Sequence, residues 1–238
     1  MLGFKREVDS GKCLTVMFFI IMVIEATAEL FSNKLLVFIF KPLLSIVIMA
    51  LYWNASKKKE SMFFVVLTLS LITNLLFISN SENLLFVGLL VFLIHRLLLI
   101  SYVVRMIKLK DFIPLFIAIV PFLFVFSYLL SISNEIQVKS YWILLIQNVL
   151  ISLIGGLALS EYVINYNKIS SWFLIFGLLS VTQYFIVFIE KYYLLNLAPI
   201  VFRPLAMVLN ATVYYAFYRF VIDTEKANTS EETILDNN

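Results

Sequence analysis

The sequence predicts an all-α, polytopic membrane protein, a bundle of eight transmembrane helices, and three observations support this. Hydrophobic residues make up 62% of the chain and charged residues 14%, where soluble domains have roughly 45–50% and about 25%. The apolar residues form continuous runs, whereas the strands of a membrane barrel would alternate apolar and polar residues. Only six glycines and five prolines interrupt these runs. Because lipid leaves backbone groups without partners, only helices and closed barrels span it, and continuous runs favour helices.

Eight apolar runs approach the length of about 20 residues that a transmembrane helix needs. The predicted spans are 13–32, 35–53, 61–79, 84–105, 112–132, 141–164, 170–190 and 197–221. Their connections are short, so successive helices should run antiparallel. We expect one transmembrane domain over residues 1–222. Residues 223–238 are polar and acidic and contain no aromatic residue, which predicts a disordered tail.

The distribution of lysine and arginine predicts the orientation of the helices. With eight spans, twelve of these residues fall on the side of both termini and three on the other side. We therefore expect both termini in the cytoplasm and the chain in an inner or plasma membrane. A rival interpretation takes the first span as a signal peptide cleaved near Ala26–Ala28. Losing that helix would break the charge bias, so we favour the eight-span interpretation.

Ionisable residues inside predicted spans are the first candidates for a functional site. A charge at bilayer depth costs roughly 2.5–3.5 kcal/mol on insertion scales, so it usually faces a partner or a cavity. The candidates are Glu25, Glu29, Lys41, His95, Arg96, Glu161 and Arg203. The single cysteine, Cys13, and the single histidine exclude a disulfide framework and a cysteine or histidine metal cluster. We expect no metal, no other cofactor and no nucleic-acid partner.

Two interpretations stay open for several of these residues. Glu25 and Glu29 share a helix face and could clamp a cation or share a proton; alternatively, Glu29 is hydrated and Glu25 pairs with Lys41 or Arg203. Lys41 and Arg203 each precede a proline, and a cation beside a kink suits an anionic headgroup. Snorkelling to the interface is the alternative for both.

Residues near the middle of spans have fewer alternatives. Arg96 is too deep in its span to snorkel easily, so we expect it to meet a carboxylate. His95 is more often a structural hydrogen-bonding residue than a catalyst. The amides of Asn74, Gln147 and Gln183 can bridge helices, and that is their ordinary role in membrane proteins.

Four short motifs, in this order on eight spans, resemble those of the YhhN family of membrane proteins, which includes lysoplasmalogenases. The motifs are Lys41-Pro42-Leu43, Gly88-Leu89 with Phe92, Gly155–Glu161, and Thr182-Gln183 with Ile186. Three positions differ from the family pattern. Asn74 stands where the family has an aspartate, Glu161 replaces a second aspartate, and the family histidine falls on Arg96 with His95 one residue earlier.

The resemblance implies hydrolysis of the vinyl ether bond of a lysoplasmalogen, a lysophospholipid, which gives a fatty aldehyde and a glycerophospho-headgroup. That bond breaks after protonation of the vinyl carbon, so the reaction needs a carboxylic acid held protonated and a group that steers water. On this basis Glu161 is the expected proton donor, and Asn74 and Gln183 position water or substrate. The substrate-binding candidates are Lys41, His95, Arg96, Gln183 and Arg203.

Two other functions stay open. The chain could be a catalytically inactive family member that binds or moves lysolipids, which the loss of the acid at Asn74 favours. It could also be an ion-coupled transporter of small molecules in which Glu25, Glu29 and Glu161 relay protons. An enzyme or a lysolipid binder predicts that Glu161, Asn74 and Arg96 surround one cavity.

Overall fold

Each of the eight predicted apolar segments is a helix in the structure, a computed structural model. It describes residues 2–78, 81–107, 111–133, 136, 138–194 and 197–236, with side chains except at 2–10, 82, 138 and 231–236. The helices are α1 Leu2–Leu30, α2 Lys34–Ala55, α3 Ser61–Ile78, α4 Glu82–Met106, α5 Phe112–Ile132, α6 Val138–Ile164, α7 Lys168–Ile189 and α8 Phe202–Asp236. A π-helical turn, Glu190–Leu194, extends α7. All eight helices are long and apolar enough to span a membrane, so the prediction of an all-α, multi-pass protein is confirmed.

The helix boundaries depart from the predicted spans mainly at α1 and α8. The polar residues before Cys13 continue α1 as helix back to Leu2. Helix α8 begins at Phe202 rather than at residue 197, because Pro199 lies in a turn whose carbonyl accepts a hydrogen bond from the Phe202 amide at 2.9 Å. Residue 79, predicted to end the third span, lies outside the described residues, as do Lys108 and Lys110 of the charge bias.

Helix α6 is the most enclosed element, and its glycines explain how it packs. The buried share of its membrane-spanning window is 72%, against 28% for α5 and α7. A methyl group on Gly156 would lie 3.1 Å from the backbone nitrogen of Ile119 on α5, and one on Gly155 would lie 2.8 Å from Val181 on α7. Small residues let transmembrane helices approach closely. The Gly155-Gly156 pair is therefore a packing feature between α5, α6 and α7.

The bundle has two distinct ends. At the first, which we call the open end, α1 and α7 finish and α2 and α8 start, and an ion pair of 3.8 Å joins Arg203 to Glu29. At the second, the closed end, α2 and α6 finish and α3 and α7 start. There, aromatic rings stack in the interior. The ring centres of Tyr52 and Phe63 are 3.8 Å apart, and those of Phe63 and Phe217 are 5.5 Å apart.

The predicted disordered tail is a helix as far as the structure describes it. Helix α8 continues through Asp236, and only residues 237–238 of the tail lie outside the described part. Glu225 is buried, and its carboxylate accepts hydrogen bonds from Tyr52 at 2.5 Å and Ser56 at 2.6 Å. Asp223 forms an ion pair of 3.2 Å with Lys168. These two acids have partners on α2 and α7, which composition alone does not reveal.

The substitution Glu225→Ala should lower the free energy of unfolding by about 3 kcal/mol, because it leaves two buried hydroxyl groups without an acceptor. Thermal unfolding of the purified protein in detergent measures this. Ser230→Ala removes an exposed hydroxyl of the same helix and should change stability by less than about 0.5 kcal/mol. A disordered tail predicts no change for either variant.

Candidate functional site

A cavity of about 760 Å³ lies inside the bundle and reaches the surface at the open end. Among the described residues, its lining comes from the end of α1 and from α2, α3, α4, α6, α7 and α8, and α5 contributes none. Along α8 the lining runs from Arg203 to Phe217, which corresponds to roughly 20 Å at the rise of an α-helix. This volume lies in the range of pockets that hold small molecules.

Charges of both signs surround the cavity where it opens. This rim consists of Glu29, Lys34, Glu190, Lys191 and Arg203. Arg203 donates from Nε to Glu190 at 2.6 Å, and its side chain is still 69% exposed. Exposed ion pairs contribute little to stability, so the rim charges can exchange these contacts for a ligand. Arg203 and Pro204 lie in the first turn of α8. Because the arginine side chain is already exposed at this end, it does not need to snorkel.

Lys41 lines the cavity about 10 Å along α2 from the rim residue Lys34. Its charge interacts with Glu25, Glu29 and Glu190. Glu25 is fully buried, and neither of its carboxyl oxygens has a hydrogen-bond partner among the described residues. The predicted pairing of Glu25 with Lys41 is therefore an electrostatic interaction without an ion-pair contact.

Uncharged polar side chains form two bridges across the middle of the cavity. The Asn74 amide donates to the hydroxyl of Tyr214 at 2.7 Å, and Ser70 shares a hydrogen bond of 2.6 Å with the same hydroxyl. The Gln183 amide donates to Asn210 at 3.1 Å. The amides bridge helices here, which is the alternative that the sequence left open, and they also face the cavity.

Asn210 and Tyr214, the partners of the two bridges on α8, were not predicted from the sequence. A signal for them exists in the spacing of the chain. Five cavity-lining residues of α8 are spaced three or four residues apart and therefore share one helix face. They are Arg203, Met207, Asn210, Tyr214 and Phe217. Polar residues along an otherwise apolar face indicate a surface that lines a cavity.

Arg96 lies deepest among the cations, and its environment differs from the expected one. It is 4% exposed, and its guanidinium lies 4.4 Å from the ring centres of both Phe92 and Tyr184. Its Nη1 donates to the backbone carbonyl of Gln147 at 3.2 Å. No carboxylate lies within ion-pair distance among the described residues, so the expected partner was wrong. Aromatic faces carry negative quadrupole potential and partly compensate the buried charge instead.

His95 precedes Arg96 and is also buried. Its ring is nearly parallel to that of Phe92, with the ring centres 5.8 Å apart. Nδ1 has no hydrogen-bond partner among the described residues. His95 therefore lines the cavity, and its described contact is the stacking of its ring on Phe92.

The structure brings six of the seven predicted site residues together, and the exception is Glu161. The six that line the cavity are Lys41, Asn74, His95, Arg96, Gln183 and Arg203. Glu161 is not in the described lining, and its carboxylate accepts a hydrogen bond from Asn165 at 2.9 Å near the end of α6. That position is at the closed end, opposite Glu29. The expected grouping of Glu161 with Asn74 and Arg96 is not observed, and a proton relay from Glu29 to Glu161 would have to cross the bundle.

Comparison with protein-family models, with curated proteins and with solved structures finds no match for this chain. The resemblance to the YhhN family therefore stays a prediction, and a function has to be argued from the chemistry of the cavity. Within the described part of the chain, no cluster of three histidine, cysteine or acidic side chains could hold a metal ion.

The contacts of Arg96 predict that Arg96→Met will keep the free energy of unfolding within about 1 kcal/mol of the wild type. Removing a buried cation without a carboxylate partner relieves its desolvation cost, which offsets the lost ring contacts. Thermal unfolding in detergent measures this. A loss of several kcal/mol would instead identify Arg96 as a residue that holds the bundle together.

Proposed function

We propose that the protein binds a single-chain, zwitterionic lysophospholipid in the cavity, with the headgroup at the open end. The observation that carries the proposal is the polarity of this cavity within a membrane-spanning bundle. Charges of both signs lie at its opening, amides in its middle and aromatic and aliphatic side chains at its far end. Such a gradient matches an amphiphile with a charged head and one apolar chain.

The rim offers a partner for each charge of such a headgroup. Arg203 and Lys191, with Lys41 below them, can meet the phosphate by charge-assisted hydrogen bonds. Glu29 and Glu190 can meet a choline or ethanolamine cation. Because the arginine already contacts both carboxylates, a zwitterion can replace these contacts without leaving either charge unpaired.

The far end of the cavity is suited to an alkyl or acyl chain. The apolar residues that line it are Val66, Leu67, Leu99, Ile151, Ile154, Phe176 and Phe217. Burial of each methylene group there would contribute about 0.8 kcal/mol relative to water. A lysolipid with one chain suits a cavity of about 760 Å³ whose lining extends roughly 20 Å along α8.

Hydrolysis of the vinyl ether bond is a second candidate for the same cavity, favoured by the rim carboxyl groups of Glu29 and Glu190. The reaction needs a proton donor beside the linkage. Below the rim the polar groups of the lining are amides, hydroxyls, the two cations Lys41 and Arg96, and the imidazole of His95, with no carboxyl group among the described residues there, and Glu161 lies outside the described lining. Binding without hydrolysis is therefore the function that this geometry supports best.

The proposed membrane orientation follows from the charge bias of the sequence. If the protein lies in an inner or plasma membrane with both termini in the cytoplasm, the closed end faces the cytoplasm. The cavity would then open toward the outer face of the membrane. Lys34 and Lys191 of the rim belong to the three cations counted on that face. A lysolipid would then enter from the outer leaflet.

A binding assay tests the proposal with the purified protein in nanodiscs and radiolabelled palmitoyl-lysophosphatidylcholine. We expect saturable binding that glycerophosphocholine, which has no chain, does not displace. Arg203→Gln should weaken binding about fivefold, because one of several rim cations is lost. Arg219→Gln is the matched control, since Arg219 lies on the same helix outside the described lining, and it should bind like the wild type.

Several results would contradict the proposal. Binding that does not saturate, or equal losses in both arginine variants, would exclude headgroup recognition at the rim. Displacement by glycerophosphocholine would exclude a contribution of the chain. Release of fatty aldehyde from the alkenyl analogue under the same conditions would replace binding by hydrolysis as the function of the cavity.

A further inference from the structure

Arg96 carries hydrogen-bond donors that have no acceptor among the described residues. A guanidinium has five N–H groups, and in the described part of the chain one of them donates to the backbone carbonyl of Gln147. The side chain is 4% exposed and lines the cavity. The two aromatic rings compensate part of the charge but accept no conventional hydrogen bond. The remaining donors are therefore available to an acceptor on a ligand inside the cavity.

The depth of Arg96 restricts which part of a ligand it can reach. Arg96 contacts Tyr184, and Lys191 of the rim lies seven residues further along α7 and its π-helical turn. At the rise of a helix this separation is about 10 Å. The glycerol backbone of a lysophospholipid spans somewhat less than this between the phosphate and the first carbon of the chain, and the long side chains of Lys191 and Arg96 can cover the difference. A headgroup at the rim thus brings the chain linkage next to Arg96.

We propose that Arg96 donates hydrogen bonds to the ester carbonyl of an acyl lysophospholipid, so that the cavity selects ester-linked over ether-linked and vinyl-ether-linked ligands. This inference rests on the proposed function. An ester carbonyl oxygen is a strong acceptor that can take two hydrogen bonds. An alkyl ether lacks the carbonyl, and a vinyl ether oxygen delocalises a lone pair into its double bond and accepts poorly. Arginine has no acceptor of its own, so it cannot adapt to a donor group instead.

The neighbourhood of Arg96 makes this a defined site rather than a diffuse positive region. Phe92 and Tyr184 each present a ring face to the guanidinium, with both ring centres 4.4 Å away, which restricts its movement. A planar fork of donors then points in set directions, which lysine could not provide.

The experiment compares three lysophosphocholines with the same chain length, linked by an ester, an alkyl ether or a vinyl ether. Each competes with the radiolabelled acyl ligand for the wild-type protein in nanodiscs. We expect the ester to bind about tenfold more tightly than the other two, the effect of one hydrogen bond to a charged donor. Arg96→Met should weaken ester binding about tenfold and leave the two ethers unchanged, so that all three bind alike.

Arg203→Gln is the matched control, because it removes a cation from the same cavity at the rim. It should weaken all three ligands by the same factor and keep the ester preference. A purely structural role for Arg96 predicts that Arg96→Met also weakens all three alike, which would overturn the inference. Palmitate shares the carbonyl chemistry, and its tighter binding than the acyl lysolipid would assign Arg96 to a fatty-acid carboxylate instead.

The wild-type comparison decides the inference even if Arg96→Met does not fold. Equal binding of the three lysophosphocholines, or a preference for the vinyl ether, would overturn the ester assignment and leave the proposed function intact. No saturable binding of any of them would overturn both.

Discussion

The interior of a bilayer offers no hydrogen-bond partners, and the arrangement of this bundle follows from that constraint. A polar side chain inside a span has to meet another one or face a cavity. Here both solutions occur in one place: Asn74 and Ser70 meet the hydroxyl of Tyr214, while Arg96 lies between rings at the cavity wall. The polar groups of several helices therefore converge on a single space, and the lipid-facing surfaces remain apolar.

The packing of the helices determines where that space can exist. Gly156 brings α6 against α5, and Gly177 brings α7 against Ala158 of α6, so this side of the bundle has little free volume. At the closed end, the stacked rings and the bonds from Tyr52 to Glu225 join α2, α3 and α8. The remaining space lies between these two regions and reaches the surface at the open end. This packing therefore leaves a cavity that is sealed at the closed end and bordered by charged residues at the open end.

Much of this could be predicted from the sequence, and the failures have physical causes. Continuous apolar runs are sufficient to predict eight helices, and the cost of burying charge is sufficient to select Arg96 for the cavity. Glu161 was misplaced because the glycines before it serve helix packing, and a motif does not tell which side of a helix faces a cavity. Tyr214 and Glu225 were missed because their importance depends on partners far away in the chain, as with Tyr52 and Glu225. Such pairings become visible only in three dimensions.

The central claim is that the cavity holds one lysolipid with its head at the rim and its chain at the closed end. A lysophosphatidylcholine with a photoactivatable group at the end of its chain tests this most directly, with cross-links mapped by mass spectrometry. The account predicts adducts at the apolar end of the cavity, on Leu99, Ile154 or Phe176. Adducts confined to the exposed face of α5, at Phe116 and Phe124, would show that the lipid only surrounds the protein and would contradict it.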